Sequence, residues 1–168
     1  DVELTAKWSS PALARVTPDK AAKTVNGGSY ITNNESYPDP SFYADGGLKF
    51  NYVNQGLLTN KFEAVNFAYV TLTIGALNQN TKQGEDAVPA FTVYGLNANG
   101  DTVAKASLDS VIVGENLFVL QGDAIVQVKL IMTDYPFDGE KFCNVNIAGL
   151  VVEESKAVTP EQPEQPEQ

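Results

Sequence analysis

The chain contains no histidine, one cysteine, one methionine and one tryptophan in 168 residues. Histidine is the side chain that changes charge near neutral pH, and it is the commonest metal ligand. Without it the chain has no Ser-His-Asp or Cys-His nucleophilic set and no histidine-based zinc site. Cys143 has no partner for a disulfide within the chain, and in the alternating run Phe142-Cys143-Asn144-Val145 it reads as a small buried apolar group. Positive charge is also scarce: 11 Lys and Arg stand against 21 Asp and Glu, a net charge of −10, and the basic residues are scattered. Nucleic-acid phosphates and anionic membrane surfaces are therefore poor partners. No apolar stretch approaches the roughly 20 residues that a spanning helix needs, so membrane insertion is not expected. A phosphate-binding glycine loop and a dinucleotide fingerprint are both missing. Paired carboxylates could work without histidine, but the acids fall in turns, strand ends and the tail. Glu63 alone stands near the start of a strong strand, so a non-catalytic protein is expected.

What is present is a succession of β-strand patterns from about Leu48 to Val152. In Leu48-Lys49-Phe50-Asn51-Tyr52-Val53, the residues Leu48, Phe50 and Tyr52 share a face. Val70, Leu72 and Ile74 alternate with threonines, and Phe91-Thr92-Val93-Tyr94 repeats the pattern with Thr92 and Tyr94 on the polar side. Asn99-Gly100 supplies a tight turn before Thr102–Leu108. Val111-Ile112-Val113 and Leu117–Leu120 read as shorter strands. Ala124–Thr133 reads as the strongest, with Val126, Val128, Leu130 and Met132 on one face and Gln127 and Lys129 on the other. Asparagines alternate with Val145 and Ile147 in the last strand, Asn144–Val152. At least eight strands without a convincing amphipathic helix predict an all-β, antiparallel two-sheet β-sandwich or jelly roll. Its expected core holds Val70, Leu72, Ile74, Phe91, Val93, Val126, Val128, Leu130, Val145 and Ile147.

One domain is expected over residues 1–157, with an irregular N-terminal part over 1–47 and a possible first strand at Val2–Trp8. Residues 158–168 form a Pro-Glu-Gln repeat, in which proline at every third position blocks helix and sheet. This segment reads as a linker or tail leading to further modules of a larger chain.

The order of parts from Phe91-Thr92-Val93-Tyr94-Gly95-Leu96-Asn97, through Gln121-Gly122-Asp123-Ala124-Ile125-Val126-Gln127-Val128-Lys129, to the closing strand resembles a carbohydrate-binding module. Such modules are jelly rolls similar to galactose-binding-like domains and are appended to extracellular bacterial glycan-degrading proteins. The resemblance covers about two thirds of the chain and lies in pattern, so it assigns no binding residue. It implies a secreted or cell-surface setting and a polysaccharide or oligosaccharide partner.

A sugar site needs flat apolar faces for the pyranose ring and planar polar groups for its hydroxyls. Two regions offer these. One is the loop rim, with Trp8, Tyr37, Phe42, Tyr43 and Tyr135. The other is a polar sheet face with Tyr94, Gln127, Lys129, Asn144 and Asn146, its amides expected beside Tyr94 on adjacent strands. The ligand-binding candidates are Trp8, Tyr37, Tyr43, Tyr94, Gln127 and Asn144. Oxygen donors crowd two loops, so Asp39, Asp45, Asp134 and Asp138 are candidate ligands for a structural Ca²⁺. The expected function is the holding of a starch-like α-glucan or a plant cell-wall glycan. The competing expectation is a structural or adhesive domain, of a surface array or virion, that makes protein–protein contacts.

Overall fold

A computed structural model describes residues 12–31, 41–50, 54–81, 90–134 and 141–154, with side chains described for all of these except 78–81, 134 and 141–143. Among them are twelve β-strands: β1 (Ala14–Asp19), β2 (Thr24–Asn26), β3 (Gly28–Ile31), β4 (Ser41–Phe42), β5 (Leu48–Phe50), β6 (Gly56–Thr59), β7 (Val65–Thr81), β8 (Ala90–Leu96), β9 (Thr102–Leu108), β10 (Gly114–Ile125), β11 (Gln127–Asp134) and β12 (Lys141–Glu153). They form two antiparallel sheets. The seven-stranded sheet runs β10-β7-β12-β1-β2, with β5 also on β12 and β4 on β5; the five-stranded sheet runs β3-β6-β11-β8-β9. The expected antiparallel sandwich is the fold observed.

The two inner faces supply the core by period-two alternation. Ala68, Val70, Leu72 and Ile74 of β7 point inward beside Leu150 and Val152 of β12, against Phe91, Val93, Val128, Leu130 and Met132 from the other sheet. Phe50 lies at the centre: its ring is 6.2 Å from Phe91 and meets Tyr30 edge-on at 5.8 Å. The Tyr30 hydroxyl accepts a hydrogen bond from Gln55 Nε2 at 2.6 Å. Burial pushes its pKa up to about 12, against the lowering effect of Gln55.

Several expectations need correction. Nine of the ten expected core residues are buried, but Val126 is half-buried. It is the single non-strand residue at which the chain leaves β10 for β11, and thus one sheet for the other. The run Ala124–Thr133 is therefore two strands that break at Val126, two residues after Ala124, whose φ is 59°. Apolar alternation cannot register such a crossing, because both sheets bury the same kind of residue. Residues 1–47 are less irregular than expected, since β1 to β4 lie there. β1 accommodates Pro18 as it passes from β12 to β2, with Val16 opposite Leu150 and Pro18 opposite Val25. Val111-Ile112-Val113 is a loop. The buried Asn116 accepts from the Ile112 N–H at 2.9 Å and donates to the Ile112 carbonyl at 2.9 Å, holding that segment as a turn. Val2–Trp8, Tyr52 and the Pro-Glu-Gln segment lie outside the described residues.

Replacing Phe50 by alanine removes a fully buried ring that packs on two other aromatics. The expected loss is about 3–5 kcal/mol of unfolding free energy, measured by urea titration. A loss below about 1 kcal/mol would mean that the sheets close over the gap.

Candidate functional site

The two longest pairing strands, β7 and β12, change side-chain phase together. Asn146 pairs with Ala76 and Ile147 with Ile74, which skips Gly75; Gly149 then pairs with Thr73, which skips Ala148. Each strand thus carries one extra residue, and both extra residues are exposed. Paired bulges keep apolar groups inward throughout: Val145 before the two shifts, Ile147 between them, and Leu150 and Val152 after them. On the outer face they open a depression beside Asn146. Bulges commonly lie next to functional sites because they re-aim a side chain.

A turn folds over this depression. Asn54 and the other loops aside, it is the segment between β4 and β5 that matters: Tyr43 N–H donates to the Gly47 carbonyl at 2.8 Å, and Gly46 N–H donates to the Tyr43 carbonyl at 3.0 Å. Asp45 stands at its tip, accepting the Gly47 N–H at 2.9 Å. The Asn146 amide reaches up from β12 and donates to both Asp45 oxygens, at 3.1 and 3.4 Å. Asn146 is 5% exposed, a buried polar group with a defined partner. Gly47 is required here, since a Cβ at that position would collide with the Asn146 carboxamide. Lys20, whose ammonium donates to the Ala44 carbonyl at 3.1 Å, completes the wall. The result is a cleft of about 340 Å³ lined by Pro18, Lys20, Asp45, Gly46, Gly47, Gly75, Asn146 and Ala148.

The Gly47 amide, then the Asn146 amide, holds the Asp45 carboxyl below its ordinary pKa, and Lys20 adds a smaller effect in the same direction. Chemically the cleft presents a carboxylate with acceptor capacity beyond its two protein partners, a fixed carboxamide and an ammonium with spare donors. Its floor is flat glycine and alanine backbone. These groups suit a neutral polyhydroxyl ligand. They suit a cation less well, because two N–H donors already face the carboxylate. No group of three Asp, Glu, Cys or His that could hold a metal occurs among the described residues.

The expected site residues divide between the two sheets and the undescribed segments. Trp8, Tyr37, Tyr135, Asp39 and Asp138 lie outside the described residues, as does the side chain of Asp134. Tyr43 belongs to the turn over the cleft. It is half-buried, with the Lys49 ammonium 5.1 Å from its ring centroid. Tyr94 and Gln127 lie on the five-stranded sheet, whereas Asn144 lies on β12 of the other sheet. The expected grouping of Asn144 beside Tyr94 is therefore wrong. Asn144 and Asn146 share one face of β12, and Tyr94 and Gln127 have strand neighbours of their own. Gln127 also serves the fold, donating to the Thr59 carbonyl at 2.8 Å and so bracing β11 against β6.

Two features went unseen in the sequence. One is the pairing of Asp45 with Asn146, 101 residues apart. The other is the exposed apolar surface on the outer side of β7 and β10. There Phe67 and Tyr69 stack at 6.3 Å, and Phe67, Leu117 and Val119 are exposed. Alternation beyond Val70 toward Phe67 could have revealed the second; nothing local could have revealed the first.

No protein-family model and no curated protein matches the sequence. The chain is similar to the CBM36-1 domain of a multidomain xylanase from the hindgut metagenome of Trinervitermes trinervoides, with a TM-score of 0.46 and 13% identity over 84% of this chain and 97% of that one. It is similar to CsCBM6-3 from Clostridium stercorarium, solved in complex with cellobiose, with a TM-score of 0.44 and 12% identity over 85% and 95% of the two chains. A CBM4 structure follows at a TM-score of 0.39 and 14% identity, covering 76% of this chain and 95% of that one. At these identities no binding residue transfers to this chain.

Two outcomes test the geometry. Because the Asp45 pKa is depressed in the folded protein, its contribution to stability is present above the ordinary carboxylate range and is lost as pH falls through the depressed value. Asp45→Asn should therefore shrink the loss of stability on acidification below about pH 4, read by urea unfolding across pH. Gly47→Ala should displace the Asn146 amide and lower thermal stability, whereas alanine at Gly46, with open space around it, should cost only the strain of its positive φ. Equal effects at the two glycines would contradict the packing of Asn146 beneath the turn.

Proposed function

We propose that this protein is a non-catalytic carbohydrate-binding domain that works outside the cell and holds a polysaccharide in the cleft beneath the β4–β5 turn. The observation that carries the reading is the Asp45–Asn146 pair: a buried carboxamide and a carboxylate, joined by hydrogen bonds of 3.1 and 3.4 Å, that face one opening floored by glycine. Vicinal sugar hydroxyls donate and accept at the spacing that such planar groups offer. A pre-formed pair binds them without first having to order two side chains. The cleft volume lies within the range of small-molecule sites and would seat one or two sugar units of a longer chain. The composition supports a role in binding, since the chain has no histidine. Starch-like α-glucans and plant cell-wall polymers are the ligand classes to test first, with the Pro-Glu-Gln segment as the spacer to further modules.

A second reading is favoured by one observation. Phe67, Tyr69, Leu117 and Val119 form an exposed apolar face against the edge strand β10, a surface of the kind that proteins use to meet other proteins. On this reading the domain is structural or adhesive.

Electrophoresis through gels containing soluble glycans separates the two. Retardation by at least one neutral polysaccharide is expected; Asn146→Ala should weaken it by about 1–3 kcal/mol, and Asp45→Ala should weaken it in the same direction, while circular dichroism stays native. Unchanged mobility on every glycan, together with concentration-dependent oligomers that dissociate on Leu117→Lys, would replace the first reading by the second.

A further inference from the structure

The five-stranded sheet has a charge pattern opposite to that of the whole molecule. The chain carries 21 acidic residues against 11 basic ones. Yet the segments GSYI, GLLT, AFTVYGL, TVAKASL and QVKLIMTD that build this sheet contain two lysines and a single acid, Asp134, at the last position of β11. Both lysines fall on the same row of the outer face. Lys129 of β11 and Lys105 of β9 are the two cross-strand partners of Tyr94 on β8. Their ammonium nitrogens lie 5.0 and 6.0 Å from the centroid of the Tyr94 ring.

Two like charges on strands separated by one other stand roughly 10 Å apart or less. They repel each other, and no carboxylate of the described residues forms an ion pair with either. The ring between them relieves part of that repulsion through its quadrupole. On the next row, the Thr92 and Ser107 hydroxyls are hydrogen-bonded to each other at 2.8 Å, beside the ring. The face therefore offers a half-buried aromatic ring, an ammonium on each side of it and the exposed Ser107 hydroxyl along one edge, with Thr92 buried beneath. Charge at longer range is screened over about 8 Å at physiological salt, so the acid-rich remainder does not cancel this local field.

We propose that the outer face of the five-stranded sheet is a second binding site, centred on Tyr94, for a saccharide that bears a carboxylate. The uronic-acid ring lies on Tyr94, and its carboxylate is held between Lys129 and Lys105. The neutral-glycan cleft lies on the outer face of the opposite sheet, so the two sites occupy separate surfaces. The choice of a sugar as ligand rests on the carbohydrate reading, but the charge selectivity does not depend on the cleft.

The test compares polygalacturonate with its fully methyl-esterified form, which keeps the sugar backbone and loses the charge. Intact protein should be retarded at least tenfold more strongly by the acid form, and the difference should fall steeply as salt is raised to about 0.5 M. The double variant Lys105→Gln, Lys129→Gln and the variant Tyr94→Ala should each abolish the preference. Tyr94→Phe, which keeps the ring face, should retain it, and a thermal melt confirms that each variant is folded. Asn146→Ala should leave polygalacturonate binding unchanged. If neutral glycans fail to bind while polygalacturonate still does, the cleft reading falls and the platform stands. Equal binding of the acid and ester forms, or a preference that survives loss of both lysines, overturns the platform.

Discussion

The seven-stranded sheet depends on β7 and β12 keeping the same side-chain phase along their full pairing. A strand buries alternate residues, so one extra residue on one strand alone would turn the apolar set of that strand toward solvent from that point on. Gly75 and Ala148 are extra residues on facing strands within a few positions of each other, so both strands shift phase together. The core continues without interruption from Val145 through Ile147 to Leu150 and Val152. The local cost appears on the outer surface, where the bulged backbone leaves a depression that the β4–β5 turn covers. The cleft is thus a consequence of how the core is kept intact.

Burial and polarity then act together at Asn146. A buried carboxamide without partners would be strongly destabilising, and Asp45 supplies what it needs. The same bonds hold the carboxylate ionised at lower pH than usual and keep the turn in place over Gly47. One set of interactions therefore stabilises the turn, orients both polar groups and shapes the opening. The five-stranded sheet solves a different problem. Its outer face holds the half-buried Tyr94 between two lysines, with Lys105 and Ser107 exposed.

Much of the architecture was legible because alternation is a local property with a physical cause. Val70, Leu72 and Ile74, or Phe91 and Val93, can be assigned to a buried face from their own neighbours in the chain. The misreadings have one origin. Ala124–Thr133 looked continuous because crossing from one sheet to the other does not change the hydrophobic pattern. Val111–Val113 looked like a strand because β-branched residues favour one, but Asn116 bonds to the Ile112 backbone and holds a turn instead. In both cases a contact or crossing outside the local window decided the outcome.

By itself the sequence determined the class of the fold, the two-sided chemistry of most strands and the absence of histidine chemistry, because each follows from residue type and spacing. It also brought candidate side chains into view: Tyr43, Tyr94, Asn144 and Asn146 as aromatic and polar groups, and Asp45 as an oxygen donor for a metal. Which of them meet was decided only by the tertiary structure. Asn144 and Tyr94 could be placed on one face or on two only once strand order assigned β12 and β8 to different sheets. Asp45 and Asn146 meet because β5 pairs with β12 in a register that sets Lys49 opposite Asn146. Strand order and register are fixed by long-range packing and hydrogen bonding between segments about a hundred residues apart, and no local pattern encodes them.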